Sequence, residues 1–193
     1  MISSKQYEIM RKKYGGVSSW GIWGPEGAKA KAGVGDLSVF NPVDLSVLNT
    51  GYVFVGLNVA GEGTVDRSIP DWSNFHSEFR THHDFKLRYA LKDTPFWGSY
   101  FTDIIKLHAD SDGGNVMKYI KQHPDVLRKN IESFEEEIGY LGGHPVLIAI
   151  GDKAFGILKN NLGHKYEIKK MSHYARAVSK EDYRAELLKL LGQ

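Results

Sequence analysis

The sequence predicts a three-layer α/β/α domain built on a central, mostly parallel, four-stranded sheet. Four short apolar runs are nearly continuous rather than alternating, which is typical of strands buried on both faces. Helical patterns lie between these runs, and such alternation implies parallel strands joined by crossover connections. The runs are residues 52–57 (YVFVGL), 99–105 (SYFTDII), 145–151 (PVLIAIG) and the less regular 166–171 (YEIKKM).

Helices are indicated by apolar side chains spaced three or four residues apart and by residues that cap helices. Gly15 and Gly16 close the first helix, whereas Ser179 opens the last one, with Asp182 completing a capping box. The predicted helices span residues 4–14, 118–122, 125–140, 152–162 and 179–191.

The chain is expected to form a single domain over residues 1–193, because this length supports one sizeable core. Residues 1–49 comprise the N-terminal helix and a glycine-rich arm, and residues 50–193 form the α/β core. An irregular segment as long as this arm is typically functional or mobile. Its GPEGAKAKAG stretch resembles a phosphate loop but lacks the Gly-Lys-Ser/Thr ending that contacts phosphate and magnesium. A P-loop enzyme is therefore rejected.

Composition excludes several functional classes. The chain has no cysteine, which rules out disulfides, a thiolate nucleophile, a cysteine zinc site and an iron-sulfur cluster. Its content of 41% hydrophobic, 25% charged and 12% aromatic residues is typical of a soluble globular protein. Neither a membrane helix nor the apolar core of a signal peptide is recognisable. The sequence therefore predicts a cytoplasmic protein without a membrane partner.

Positive charge is concentrated in two segments, although the formal net charge is only +2. Residues 1–35 carry six lysines and arginines against two glutamates, and residues 164–176 carry four against one. Such clusters are commonly solvated faces, and alternatively they bind an anionic partner such as a nucleic acid.

Polar residues follow the predicted strands at the edge where a ligand is expected. In parallel α/β sheets the ligand crevice lies outside the carboxyl ends of the strands. Asn58 ends the first run, Asp103 and Lys106 end the second, and His173 follows the fourth. An asparagine there offers both a donor and an acceptor to a ligand. The alternatives are that Asn58 caps its own backbone, that His173 is structural, and that Asp103 pairs with Lys106 at the surface.

The segment of residues 71–91, DWSNFHSEFRTHHDFKLRYAL, is rich in aromatic residues and histidines. Trp72 and Phe75 are suited to stacking on a planar base, and equally to a place in the core. The adjacent His82 and His83 do not match the spacing of a helical metal site. No metal is predicted.

Taken in order, these motifs resemble the uracil-DNA glycosylase superfamily over residues 52–187. VFVGLNVAG (53–61) is similar to the first motif of its mismatch-specific and single-strand-selective branches, where a strand ends in Gly, an apolar residue, Asn, Pro and Gly. WGSYFTDIIK (97–106) is similar to the central strand whose polar end reads the base. PVLIAIGDKAFGIL (145–158) resembles the strand and helix before the last motif, and MSHYARAVS (171–179) occupies the place of its His-Pro-Ser segment.

The resemblance implies the superfamily's fold and a monomeric DNA-repair glycosylase without a cofactor, of a branch that lacks the iron-sulfur cluster. It would hydrolyse the N-glycosidic bond of a deaminated or modified base that is flipped out of single- or double-stranded DNA. Asn58 would position the attacking water or the sugar, and His173 would stabilise negative charge on the leaving base. The base would be contacted by Gly56, Leu57, Trp72, Phe75 and Asp103, and the DNA phosphates by Lys169, Lys170 and Arg176.

The sequence departs from the family pattern at three places. Val59 replaces the proline of the first motif, and Tyr174-Ala175 replaces the Pro-Ser of the last. Asp103 stands where many members have an asparagine that donates to uracil O4, which an ionised carboxylate cannot do. A protonated Asp103, or a base with an amino group, would restore a match. The alternative function is a non-catalytic or differently specific nucleic-acid or nucleotide binder on the same fold.

Overall fold

The computed structural model describes residues 1–59, the backbone of residues 62–63, and residues 69–192. The strands are β1 Ser18–Trp20, β2 Asn49–Asn58, β3 Glu62–Gly63, β4 Ser99–Ile105, β5 Ala109–Asp110, β6 Val146–Ile150 and β7 Ile168–Met171. The helices are α1 Ser4–Tyr14, α2 Phe85–Leu91, α3 Gly113–Gln122, α4 Pro124–Gly139, α5 Asp152–Leu162 and α6 Lys180–Lys189. Short 3₁₀ helices lie at Leu37–Phe40, Leu45–Val47 and Leu190–Gly192.

The main sheet is mixed and mostly parallel, with the strand order β1-β4-β2-β6-β7. β1 is antiparallel to β4, whereas β4, β2, β6 and β7 run parallel to one another. From β2 the chain proceeds to β4 on one side and later returns to β6 on the other. The carboxyl end of β2 is therefore a topological switch point, where α/β sheets form ligand crevices. The α/β class and the mostly parallel sheet are confirmed.

The sheet has five strands rather than the predicted four, and the additional strand is β1, which lies within the glycine-rich arm. This strand is only three residues long, too short for any periodicity to be read. Its serines are polar but fully buried, and their hydroxyl groups donate to backbone oxygens of Tyr14 and Trp72 at 2.7 Å. Ser18 thus donates to a residue four positions earlier, whereas Ser19 donates to a distant residue that the local sequence does not indicate.

Two hydrophobic cores lie on opposite faces of the sheet and make the domain three-layered. Met10 of α1, Val116 of α3, Phe134 of α4 and Leu158 of α5 belong to the first core. The second core contains side chains of α2 and α6, namely Leu87, Leu91, Tyr183 and Leu187. Within the described ranges, no helix is both long and apolar enough to cross a membrane.

The glycine-rich segment packs onto the domain, since Trp20 and Ile22 enter the first core and Trp23 and Val34 the second. Helix α2, which was not predicted, contacts this segment through Arg88. The pattern of α2 is obscured by Arg88, which is buried and donates to the backbone oxygens of residues 30 and 32 at 2.8 and 2.9 Å. An arginine in a sequence usually indicates an exposed position, so the burial of Arg88 against a distant loop was not predictable.

Candidate functional site

A cavity of about 1160 Å³ opens at the carboxyl ends of β2, β4, β6 and β7. Its walls also include parts of the segment 73–84, the start of α5 and the loop after β7. The predicted site residues that line it are Gly56, Leu57, Asn58, Phe75, Asp103, Lys170, His173 and Arg176. Residues far apart in the sequence thus meet where the strand topology predicts a crevice.

The floor of the cavity is formed where Gly56 of β2 pairs in register with Asp103 of β4. A Cβ atom on Gly56 would overlap the Oδ1 atom of Asp103 and would lie 3.5 Å from Cζ of Phe75. The absent side chain of Gly56 therefore makes room for both a carboxylate and an aromatic ring. These two groups meet above the same backbone position.

Phe75 reaches this floor through two consecutive tight turns. The N–H of Ser73 donates to the oxygen of Pro70 at 3.2 Å, and the N–H of His76 donates to the oxygen of Ser73 at 3.1 Å. Trp72 and Phe75 occupy the third positions of these turns with φ of 65° and 63°. Positive φ is usually left to glycine in such turns, because it strains a residue with a bulky side chain. Such strain is frequent at functional sites.

Trp72 does not lie with Phe75 in the cavity, although the two were predicted to act alike. Trp72 is 1% exposed and belongs to the first core, with ring centroids of Tyr7, Trp20 and Tyr100 at 5.5, 6.4 and 6.4 Å. It is absent from the described residues that line the cavity. Its alternative interpretation as a core residue fits this position, and of the two predicted stacking residues only Phe75 lines the cavity.

Asp103 is a buried carboxyl group, 4% exposed, on the floor of the cavity. Burial raises its pKa to about 6, while the hydrogen bond from Asn74 and the charge of Lys106 lower the pKa and the charge of Glu137 raises it. Nδ2 of Asn74 donates to Oδ2 of Asp103 at 3.0 Å and to the backbone oxygen of Val17, also at 3.0 Å. The carboxyl group can therefore exchange its proton near neutral pH.

Lys106 does not form the surface ion pair with Asp103 that was considered as an alternative. Its Nζ atom lies 2.6 Å from Oε2 of Glu137, and the two side chains are 9% and 0% exposed. Oε1 of Glu137 accepts hydrogen bonds from Tyr100 and Thr102 at 2.8 Å each. Lys106 also donates to the backbone oxygen of Asp103. This buried network joins β4 to α4 next to the site, and its central residue, Glu137, was not predicted.

Asn58 ends β2 with its amide group fixed by backbone. Its Nδ2 atom donates to the oxygen of Asp110 at 2.7 Å and to the oxygen of Val59 at 2.9 Å. Both amide hydrogens are thus committed to carbonyl groups. The carbonyl oxygen Oδ1 is the atom that Asn58 can offer to a water molecule or a ligand.

His173 lines the cavity just beyond the end of β7 and is held as one neutral tautomer. The N–H of Ala175 donates to its Nδ1 atom at 3.1 Å, so the neutral ring carries its hydrogen on Nε2. Its pKa lies below the usual value, mainly because the surrounding protein displaces water and secondarily because of nearby His83. The ring is stacked on Tyr174 with centroids 4.4 Å apart. His173 is therefore a neutral hydrogen-bond donor at the site.

Two of the three predicted phosphate contacts, Lys169 and Lys170, are consecutive residues of β7, and Arg176 lies in the loop after it. Lys170 and Arg176 line the cavity, and Lys170 forms an ion pair with Asp152 at 2.8 Å. Lys169 points the other way and donates to the backbone oxygen of Leu190 at 2.7 Å. Consecutive residues of a strand face opposite sides. Only two of the three cations therefore lie at the mouth of the cavity.

Asn74, Asp84 and Tyr174 also line the cavity and were not predicted as site residues. Asp84 is buried, accepts the N–H of Ser77 at 2.8 Å, and has a pKa raised mainly by burial. Burial likewise keeps the pKa of Tyr174 well above its usual value, so its hydroxyl group stays protonated. In the sequence, Asn74 had only the signature of a turn former. Nothing local indicated its contact with Asp103.

Comparison with known proteins does not identify a family. No family model matches the chain, and no curated protein matches it. Across residues 1–59 and 69–192, no cluster of three or more histidine, aspartate or glutamate side chains is arranged to hold a metal ion.

Proposed function

We propose that the protein is a DNA glycosylase-like hydrolase that acts on a deaminated or modified base flipped out of DNA. The observation that carries this proposal is the presence of Asn58, His173, Phe75 and Asp103 in one cavity. The cavity is slightly larger than the ~300–1000 Å³ typical of small-molecule sites, which suits a nucleotide that enters with part of its backbone. Extrusion is required because the glycosidic bond of a stacked base is inaccessible inside a duplex.

The residues suit a reaction in which the base leaves before water attacks. The bond between C1′ and the base nitrogen breaks, and its electron pair departs with the base. Nε2–H of His173 donates a hydrogen bond to the negative charge that develops on the base. Oδ1 of Asn58 accepts a hydrogen bond from the water that attacks the cationic sugar, and the water releases a proton to solvent. An amide is a weak base, so orientation rather than deprotonation is its contribution.

DNA would lie across the mouth of the cavity, with its phosphates near Lys170 and Arg176. Phosphate contacts position a protein on DNA and make its affinity depend on salt concentration. Lys169 is left out of this proposal because its amino group binds the backbone of Leu190.

Alanine variants of the two proposed catalytic residues test this function. Asn58→Ala and His173→Ala are each expected to lower the cleavage rate by about 100-fold or more, because each removes a preorganised polar group from the transition state. The measurement is the formation of alkali-labile sites in single- and double-stranded oligonucleotides that contain deaminated or modified bases.

Asn160→Ala and His144→Ala are matched controls, because neither residue lines the cavity. Both controls should cleave at the rate of the unmodified protein. Unchanged cleavage by Asn58→Ala and His173→Ala would contradict the assigned roles.

The second candidate function is a nucleic-acid or nucleotide binder that does not cleave. It is favoured by the commitment of both amide hydrogens of Asn58 to backbone oxygens, together with Val59 and Tyr174 in place of the two prolines of the family pattern. Salt-sensitive DNA binding without cleavage of any base would support this alternative.

A further inference from the structure

The Asn74–Asp103 pair presents hydrogen-bond acceptors to the cavity. Asn74 uses one amide hydrogen on Oδ2 of Asp103 and the other on the backbone oxygen of Val17. Asn74 therefore has no further amide hydrogen to donate to a ligand. Oδ1 of Asp103 lies over Gly56 beside the ring of Phe75, so a planar ligand on this floor brings its edge toward a carboxylate oxygen.

We propose that this cavity selects a base whose edge carries an exocyclic amino group, with a guanine-type edge as the best match, over a base that presents a carbonyl group there. The inference rests on the proposed function and narrows its substrate class to modified bases that keep an exocyclic amino group, because deamination replaces that amino group with a carbonyl group.

The hydrogen-bonding edges of the bases explain this preference. A guanine-type edge presents a ring N–H and an amino group side by side, which are two adjacent donors for an acceptor-only carboxylate. Hypoxanthine has the same ring N–H but lacks the amino group. Uracil has one N–H between two carbonyl oxygens, and a carbonyl oxygen next to an ionised carboxylate is repelled. The ionised site therefore favours the base with the most donors.

The preference depends on the protonation state of Asp103, whose pKa is about 6. Burial disfavours the ionised form, as does the charge of Glu137 on α4. Asn74 and Lys106 favour the ionised form. Tyr174 adds no charge, because burial and the charges of Asp84 and Asp103 keep its pKa well above the usual value. Above pH 7 the carboxylate accepts hydrogen bonds only. At pH 5 it is mostly protonated, can donate to a carbonyl group, and discriminates less.

The test compares guanosine with inosine, which differ only in the amino group. Affinities for the unmodified protein are measured by NMR chemical-shift titration at pH 7.5 and pH 5. Guanosine is expected to bind at least about 10-fold more tightly than inosine at pH 7.5, because it makes one additional hydrogen bond to a charged group. The ratio should shrink at pH 5.

Asp103→Asn tests the residue itself, because it keeps the shape of the side chain and adds a donor. In this variant the preference for guanosine should disappear at pH 7.5, whereas Asp125→Asn, at an exposed position outside the cavity, should keep it. Equal binding of guanosine and inosine by the unmodified protein would overturn the inference, as would failure of both to bind. A preference that survives in Asp103→Asn would overturn it as well.

These measurements do not require cleavage, so the two proposals can fail separately. Guanosine preference combined with full cleavage by Asn58→Ala and His173→Ala would uphold the specificity and reject the catalytic roles. Loss of cleavage in those variants, without any preference for guanosine in the unmodified protein, would uphold the catalytic roles and reject the specificity.

Discussion

Glu137→Ala is expected to lower the free energy of unfolding by about 3–5 kcal/mol, because it leaves the ammonium group of Lys106 buried without its partner. The same change removes the acceptor of Tyr100 and Thr102. Burying an unpaired charge costs more than the ion pair contributes when it is intact. Urea denaturation followed by circular dichroism gives the free energy.

Two further variants separate this explanation from a general sensitivity of α4. Glu132→Ala breaks an exposed ion pair with Arg128 at 3.1 Å on the same helix and should change stability by less than about 0.5 kcal/mol. The double variant Lys106→Met/Glu137→Leu removes both charges and should be more stable than Glu137→Ala. A loss in Glu137→Ala as small as that in Glu132→Ala would show that the buried pair is not the cause.

Gly98→Ala is expected to destabilise the protein by about 3 kcal/mol or more, because strain and overlap coincide at this position. Gly98 has φ of 77°, and an added Cβ atom would overlap the carbonyl oxygen of Val47. Its N–H donates to the oxygen of Gly21 at 2.9 Å, and its oxygen accepts the N–H of Asn49 at 2.8 Å. The backbone cannot move away without weakening the bonds that join the starts of β2 and β4.

Gly142→Ala is the matched control for Gly98→Ala. Gly142 has a similar φ of 73°, but no heavy atom lies within 4 Å of the position of an added Cβ atom. Gly142→Ala should therefore lower the free energy of unfolding by only about 1 kcal/mol, which is the cost of the left-handed conformation for alanine. Thermal unfolding of the two variants side by side measures the difference. Equal losses would mean that the overlap with Val47 is relieved at no cost.

The parts of the fold that local sequence encodes were predictable. The continuous apolar runs identified β2, β4 and β6, since strands buried on both faces need apolar side chains at every position. The less regular run of residues 166–171 identified β7, in which two lysines lie between Ile168 and Met171. Helices α1 and α5 have the predicted bounds, and α1 begins at a capping box formed by Ser3 and Gln6. α3 begins earlier than predicted, at Gly113, because Asp112 caps it by accepting the N–H of Gly114.

The candidate site was predictable only to the level of strand ends. Asn58, Asp103 and His173 could be placed at one edge of the sheet, because the carboxyl ends of parallel strands share an edge. The sequence could not distinguish the roles of Phe75 and Trp72, since both are aromatic residues of the same short segment. The structure separates them, with Phe75 at the cavity and Trp72 in the first core.

By itself, the sequence determined the α/β class, most helices and strands, and the edge of the sheet at which polar residues gather. These features depend on periodicity, caps and residue order, which act over a few positions. Only the tertiary structure decided that β1 joins the sheet, that Lys170 rather than Lys169 faces the cavity, and that Asn74 donates to Asp103. Those outcomes depend on register and on contacts between distant segments, and a residue's chemical type does not specify which distant residue it will meet.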